Sequence, residues 1–104
     1  MTNEEKKRYL QSYRLVAAAL KRTERQVFLY GKGDDILKEQ REYIFTLKKI
    51  KEEISLVEDS LLKEILTQKY LCGLTLSKIS DNLGYSLRQT ARLHKKALDL
   101  FCVL

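Results

Sequence analysis

Proline is absent from the chain, and glycine occurs only four times in 104 residues. Helix breakers are therefore scarce, while Leu, Lys, Glu and Arg dominate, and that balance predicts an all-α protein. Cysteine occurs twice and histidine once. Cys72 and Cys102 lie too far apart for a metal site, and His94 adds no cluster to them. Cys72, beside Leu71 and close to Leu74, is expected to be a buried apolar thiol. No run of about 18 apolar residues exists, so no membrane span is expected. The first residues, MTNEEKKRYL, hold acids and no apolar core, which is unlike a secretory signal. The cytoplasm is the expected location. Paired carboxylates in an apolar setting and a nucleophile with its base are also missing. Neither an enzyme nor a cofactor is expected.

What the chain has is positive charge, +6 in all, placed unevenly. Residues 1–28 carry seven basic and three acidic side chains, and residues 29–56 balance six against six. Residues 57–71 have a slight acidic excess, and residues 72–104 hold five basic against two acidic side chains. The excess at the two ends favours a polyanionic partner through phosphate neutralisation and counterion release.

In chain order, apolar residues recur from about Asn3 to Tyr30 as Tyr9, Tyr13, Val16, Leu20, Val27 and Tyr30, with Thr23 filling one gap. Steps of three and four predict a long amphipathic helix. Gly31-Lys32-Gly33-Asp34-Asp35 then breaks it, with Gly31 as one cap and Asp34 or Asp35 as the next. This is a hinge and not a phosphate loop, because the spacing and the Lys-Ser/Thr ending of that motif are missing. A second helix is expected from about Ile36 to Ser55, striped by Ile36, Gln40, Tyr43, Leu47, Ile50 and Ile54. Charged residues, Glu53 among them, are expected on its flanks. Two long striped helices and a short loop imply an antiparallel hairpin over residues 1–56. Ser55 or Asp59 is available to cap a third helix, expected from about Glu58 to Cys72. The apolar tail from Leu100 to Leu104 is expected to be buried, in the core or in a dimer interface.

The chain is organised around Thr75 to Leu98. Thr75 is a good N-cap, Leu74 and Ile79 have the spacing of a hydrophobic staple, and Gly84 suits a left-handed C-terminal cap. Ser86 and Gln89 have the spacing of a capping box for the next helix. With Thr90 at zero and roughly 100° per residue, Leu93, Ala97 and Phe101 join it on one face. Arg88, Arg92 and Lys95 lie opposite, and His94, at about 40°, is expected at the edge of the packed face. A short helix, a tight turn and a second helix with a basic outer line make a candidate helix-turn-helix, in which the second helix enters a major groove. On spacing alone, the same line is equally the solvated face of a packing unit.

The stretch from about Leu62 to Leu98 resembles region four of bacterial sigma factors and related small phage regulators. The matching parts are Lys69-Tyr70, Thr75-Leu76-x-x-Ile79, Gly84, Ser86, Thr90, Leu93 and Ala97-Leu98, without a gap. The whole chain is similar to short phage regulators of the RinA and ArpU kind. The resemblance implies an all-α fold with a long N-terminal antiparallel helical hairpin, 1–56, and a three-helix unit of the region-four kind, 57–104. It also implies that bases are read by Leu87, Arg88 and Arg92, with Gln89 beside them. Thr75, Lys78, Ser86, Lys95 and Lys96 are the expected phosphate contacts. Leu87 stands where the family usually has a polar or basic residue, and Ala91 where it often has Arg. A site unlike the usual sigma target is therefore expected, with Leu87 against a thymine methyl.

Double-stranded DNA is accordingly the expected partner, read by a homodimeric transcriptional regulator of phage or mobile-element genes. Two alternatives stand beside it. One is an interaction module docking on RNA polymerase or another phage protein. The other is a DNA-packaging adaptor of the small-terminase kind.

Overall fold

The first helix begins where Thr2 and Glu5 cap each other. The Glu5 amide donates to Thr2 Oγ1 at 3.2 Å, and the Thr2 amide donates to Glu5 Oε1 at 3.1 Å. In the computed structural model, which describes residues 1–104, this helix (α1) spans Asn3–Tyr30 and ends at Gly31. At ~1.5 Å per residue it is about 42 Å long, close to the 48 Å long axis of the whole molecule. The second helix, α2, spans Asp34–Ser55 and has Gly33 as its N-cap, with no side-chain cap. Asp34 and Asp35, expected as caps, lie inside its first turn instead. There their charges still favour the positive end of the helix.

The helices α1 and α2 run antiparallel. Tyr9 hydrogen-bonds Glu53 at one end of the pair, and Arg22 reaches Glu39 at 3.1 Å further along it. Of the expected α1 stripe, Tyr9, Tyr13, Val16, Leu20 and Val27 turn inward at least partly, and Thr23 is buried. Tyr30 does not join them: it is 83% exposed, because the last turn of α1 reaches the hinge and has nothing across from it. Leu10, outside that stripe, is fully buried.

Helix α3 spans Ser60–Leu66, with the Leu62 amide donating to Asp59 Oδ1 at 3.0 Å. The single helix expected to run to Cys72 is interrupted. Residues Thr67–Leu71 form one turn of π-helix, closed by the Cys72 amide on the Thr67 carbonyl at 3.0 Å. The wider turn carries Tyr70 into the core and leaves Cys72 beyond its end. Cys72 is consequently exposed, as is Cys102, and the expected buried thiol is not found. Gly73 has φ +74°, and the Arg14 guanidinium lies 2.6 Å from where a Cβ would stand. The conformation favours glycine there, and any Cβ would also have to displace the Arg14 side chain. Two further helices complete the chain, α4 over Leu76–Leu83 and α5 over Leu87–Leu100. The fold is all-α, and no helix is long and apolar enough to cross a membrane.

One core draws on nearly every helix. Leu10 of α1 and Ile50 and Ile54 of α2 pack with Leu62 and Leu66 of α3, and with Ala97 and Leu98 of α5. Val57, Tyr70 and Phe101 complete it. Only the proximal ends of α1 and α2 enter this core, so their distal halves project. Of the apolar tail, Phe101 is buried and Val103 partly so, while Leu100, Cys102 and Leu104 are exposed. The core of the single chain takes up only part of the tail, because beyond α5 the chain is extended and keeps alternate groups on the core.

Glu53, expected on a solvated flank, is 1% exposed. Its carboxylate accepts from the Tyr9 hydroxyl and from the Leu104 amide, the latter at 2.6 Å, with Lys49 Nζ at 3.8 Å. Burial first, and then Glu53, push the Tyr9 hydroxyl well above its ordinary pKa. A buried carboxylate is tolerated only when its oxygens are satisfied, and here both are. Glu53→Ala leaves Tyr9 and Leu104 without acceptors and is expected to lower stability by about 2–4 kcal/mol, read by urea unfolding.

Candidate nucleic-acid interface

Local chemistry positions this surface. The Lys78 amide donates to Thr75 Oγ1 at 3.2 Å, which starts α4. Leu74 is half-buried and Ile79 fully buried, so the residues of the expected staple both turn inward. At the other end Gly84 takes φ 73° and ψ 23°, and its amide donates to the Ser80 carbonyl at 2.9 Å. A residue with Cβ is strained in that conformation. Two residues later Ser86 and Gln89 form a capping box. The Gln89 amide donates to Ser86 Oγ at 3.1 Å, and Gln89 Oε1 accepts from the Ser86 amide at 3.3 Å.

Helix α5 thus starts at a defined angle, and its faces separate cleanly. Thr90, His94, Ala97 and Leu98 are buried, while Arg88, Arg92, Lys95 and Lys96 are exposed. The three ion pairs of the molecule are Lys7–Glu4, Arg22–Glu39 and Lys49–Glu53. None involves Lys78, Arg88, Arg92, Lys95 or Lys96, so these five cations face solvent without an internal counter-charge. Asp99, on the same side of α5, accepts from Asn3 Nδ2 at 2.7 Å.

The sites expected for base reading divide by what holds them. Arg88 and Arg92 have free guanidinium groups, able to bond guanine O6 and N7 together. Leu87 is 54% exposed at the first position of α5, an apolar group held out in solvent. The Oε1 of Gln89 is committed to the cap, and its amide nitrogen makes no bond. Among the expected phosphate contacts, Lys78, Lys95 and Lys96 are exposed and unpaired. The hydroxyls of Thr75 and Ser86 both serve as caps, and that of Ser86 also donates to Gln89. No three His, Cys, Asp or Glu side chains come together as a metal site.

His94, expected at the edge of the packed face, is 5% exposed. Its Nε2 lies 2.7 Å from the Tyr70 hydroxyl. The wheel places it correctly, but α1 and the π-turn pack over that edge and close it. Burial, then Lys69 and Lys7, hold the imidazole down to about 4 from its ordinary 6.5. Burial and then Glu4 push the Tyr70 hydroxyl up to about 12. The folded state therefore prefers a neutral His94 below the pH at which the unfolded chain protonates. This contribution to stability is complete above about 6.5 and is lost as pH falls towards 4.

Urea unfolding at pH 7 and at pH 4.5 is expected to show about 2–3 kcal/mol more acid destabilisation in the wild type than in His94→Gln. Equal losses in the two proteins would remove His94 as the cause. No family model matches the chain, and no curated protein and no solved structure matches it.

Proposed function

We propose that the protein is a sequence-specific DNA-binding transcriptional regulator of phage or mobile-element genes, acting in the cytoplasm of a bacterial host. The observation that carries this reading is the outer face of α5, where Arg88, Arg92, Lys95 and Lys96 stand exposed without an acidic partner. Four cations gathered on one helical face make a concentration of positive charge that neutralises phosphates and releases the counterions of DNA. In this reading α4 and α5 are a helix-turn-helix. Arg88 and Arg92 read bases, Leu87 meets a thymine methyl, and Thr75, Lys78, Lys95 and Lys96 hold the flanking backbone. The resemblance to sigma region four and to small phage regulators points the same way.

The reading includes a homodimer joined through the distal halves of α1 and α2. Support comes from Phe28, Leu29 and Tyr30 at the far end of α1, with Leu15 and Phe45 near the middle of the two helices, all exposed. Large apolar groups gathered at one helix end form the kind of patch that marks an interface. Residues 29–56 also carry balanced charge, so two copies meet without net repulsion along α2. Two reading helices then face two half-sites.

Selection of genomic fragments at about 50 and 200 mM salt tests the reading, because phosphate-dominated affinity falls steeply over that range. A motif with two half-sites about one helical turn apart is expected. Against that motif, Arg92→Ala is expected to cost about 1–3 kcal/mol and to relax specificity at one position. Binding that is absent or indifferent to salt overturns the reading. It would turn attention to a protein partner, RNA polymerase first. For the dimer, Phe28→Glu is expected to leave helicity unchanged, since Phe28 is 87% exposed. The same substitution is expected to shift the protein to monomer in analytical ultracentrifugation.

A further inference from the structure

Beside the basic face lies a cleft of about 310 Å³ that none of the expected DNA contacts explains by itself. Its walls come from three separated parts of the chain. Glu4 and Lys7 belong to the first turns of α1, Leu76 begins α4, and His94 and Lys95 belong to α5.

His94 is the unusual member. Its Nε2 is taken by the Tyr70 hydroxyl, and its Nδ1 has no protein partner and is not sealed from solvent. The opening that His94 lines is this cleft. The Tyr70 hydroxyl is buried and has no acceptor other than His94. That hydroxyl is best satisfied by donating to Nε2, and the imidazole proton then lies on Nδ1. A residue more than nine-tenths buried thus carries a free imidazole N–H, and two lysines line the same cleft.

The start of α4 adds to this. Leu76 lines the cleft, and its amide makes no backbone bond at the positive end of that helix. The one acid is Glu4, 3.2 Å from Lys7, with its own side chain 75% exposed and so able to swing out into water.

We propose that this cleft is a phosphate-binding subsite, with His94 Nδ1–H, Lys7 and Lys95 as its donors and Glu4 as a built-in competitor. The proposal rests on the DNA-binding reading for its natural source of phosphate, the backbone strand that passes the start of α4. It extends that reading by making α1 part of the grip on DNA.

Two arms test it on the full chain. In the first, duplex DNA carrying the selected motif is titrated between about 50 and 200 mM salt. Lys7→Ala is expected to shrink the loss of affinity over that range by about threefold, one counterion's worth, with the motif unchanged. Glu4→Gln is expected to bind more tightly than wild type, while Glu24→Gln, further along α1, is not. A Lys7→Ala protein with the wild-type salt slope overturns the subsite and leaves the DNA reading standing.

In the second arm, the imidazole of His94 is monitored by NMR as inorganic phosphate is added; it is the only histidine in the chain. A shift at Nδ1–H that Lys7→Ala abolishes is expected. If wild type ignores DNA yet shows that shift, the DNA reading fails and the cleft stands as a site for a free phosphate compound. No shift, in a protein that also ignores DNA, overturns both.

Discussion

Everything in this molecule hangs on one junction, where the proximal ends of two long helices share a core with α3 and α5. Leu10 is the residue that makes it. Fully buried against Ile50, Ile54, Leu98 and their neighbours, it fixes the start of α1 beside α5. Lys6 secures the same place by polar means, donating to the Leu98 carbonyl at 2.8 Å, a good use of a cation at a helix C-terminus. Without that junction Lys7 would be an ordinary surface lysine, His94 would lose its cover, and the cleft would not exist.

The buried polar groups depend on the same junction. Glu53, His94 and Tyr70 all sit where helices from distant parts of the chain meet, and each finds its partner across the gap. None is a leftover of poor packing, because no buried side-chain nitrogen or oxygen goes without a hydrogen bond. Such paired groups contribute less to net stability than apolar ones of equal size. Their contribution is register. A carboxylate that needs both Tyr9 and the Leu104 amide accepts one arrangement of α1, α2 and the tail.

Legibility in the sequence divides along this line. Helix starts at Asp59, Thr75 and Ser86, and the left-handed turn at Gly84, are written in residues a few positions apart. The separation of α5 into a buried and a basic face is equally readable, since a helical wheel needs no knowledge of the partner. Leu10, Glu53 and His94 escape such a reading, because burial at the margin of a stripe depends on which helix crosses there. The cleft is invisible for the same reason: Lys7 and Lys95 are far apart in sequence and meet only through the core. Cys72 escapes it for a local reason, in that nothing in Thr67–Leu71 announces a wider turn.

That wider turn has a consequence of its own. A π-turn holds one residue more than the α-turn it replaces, and each residue in a helix rotates the next by about 100°. The heading of everything after Leu71 is therefore set by a single extra residue. Shortening the segment by one would leave both halves intact and point the basic face of α5 elsewhere. The aim of this protein is thus adjustable by one residue of length, with no change in the chemistry of the surface being aimed.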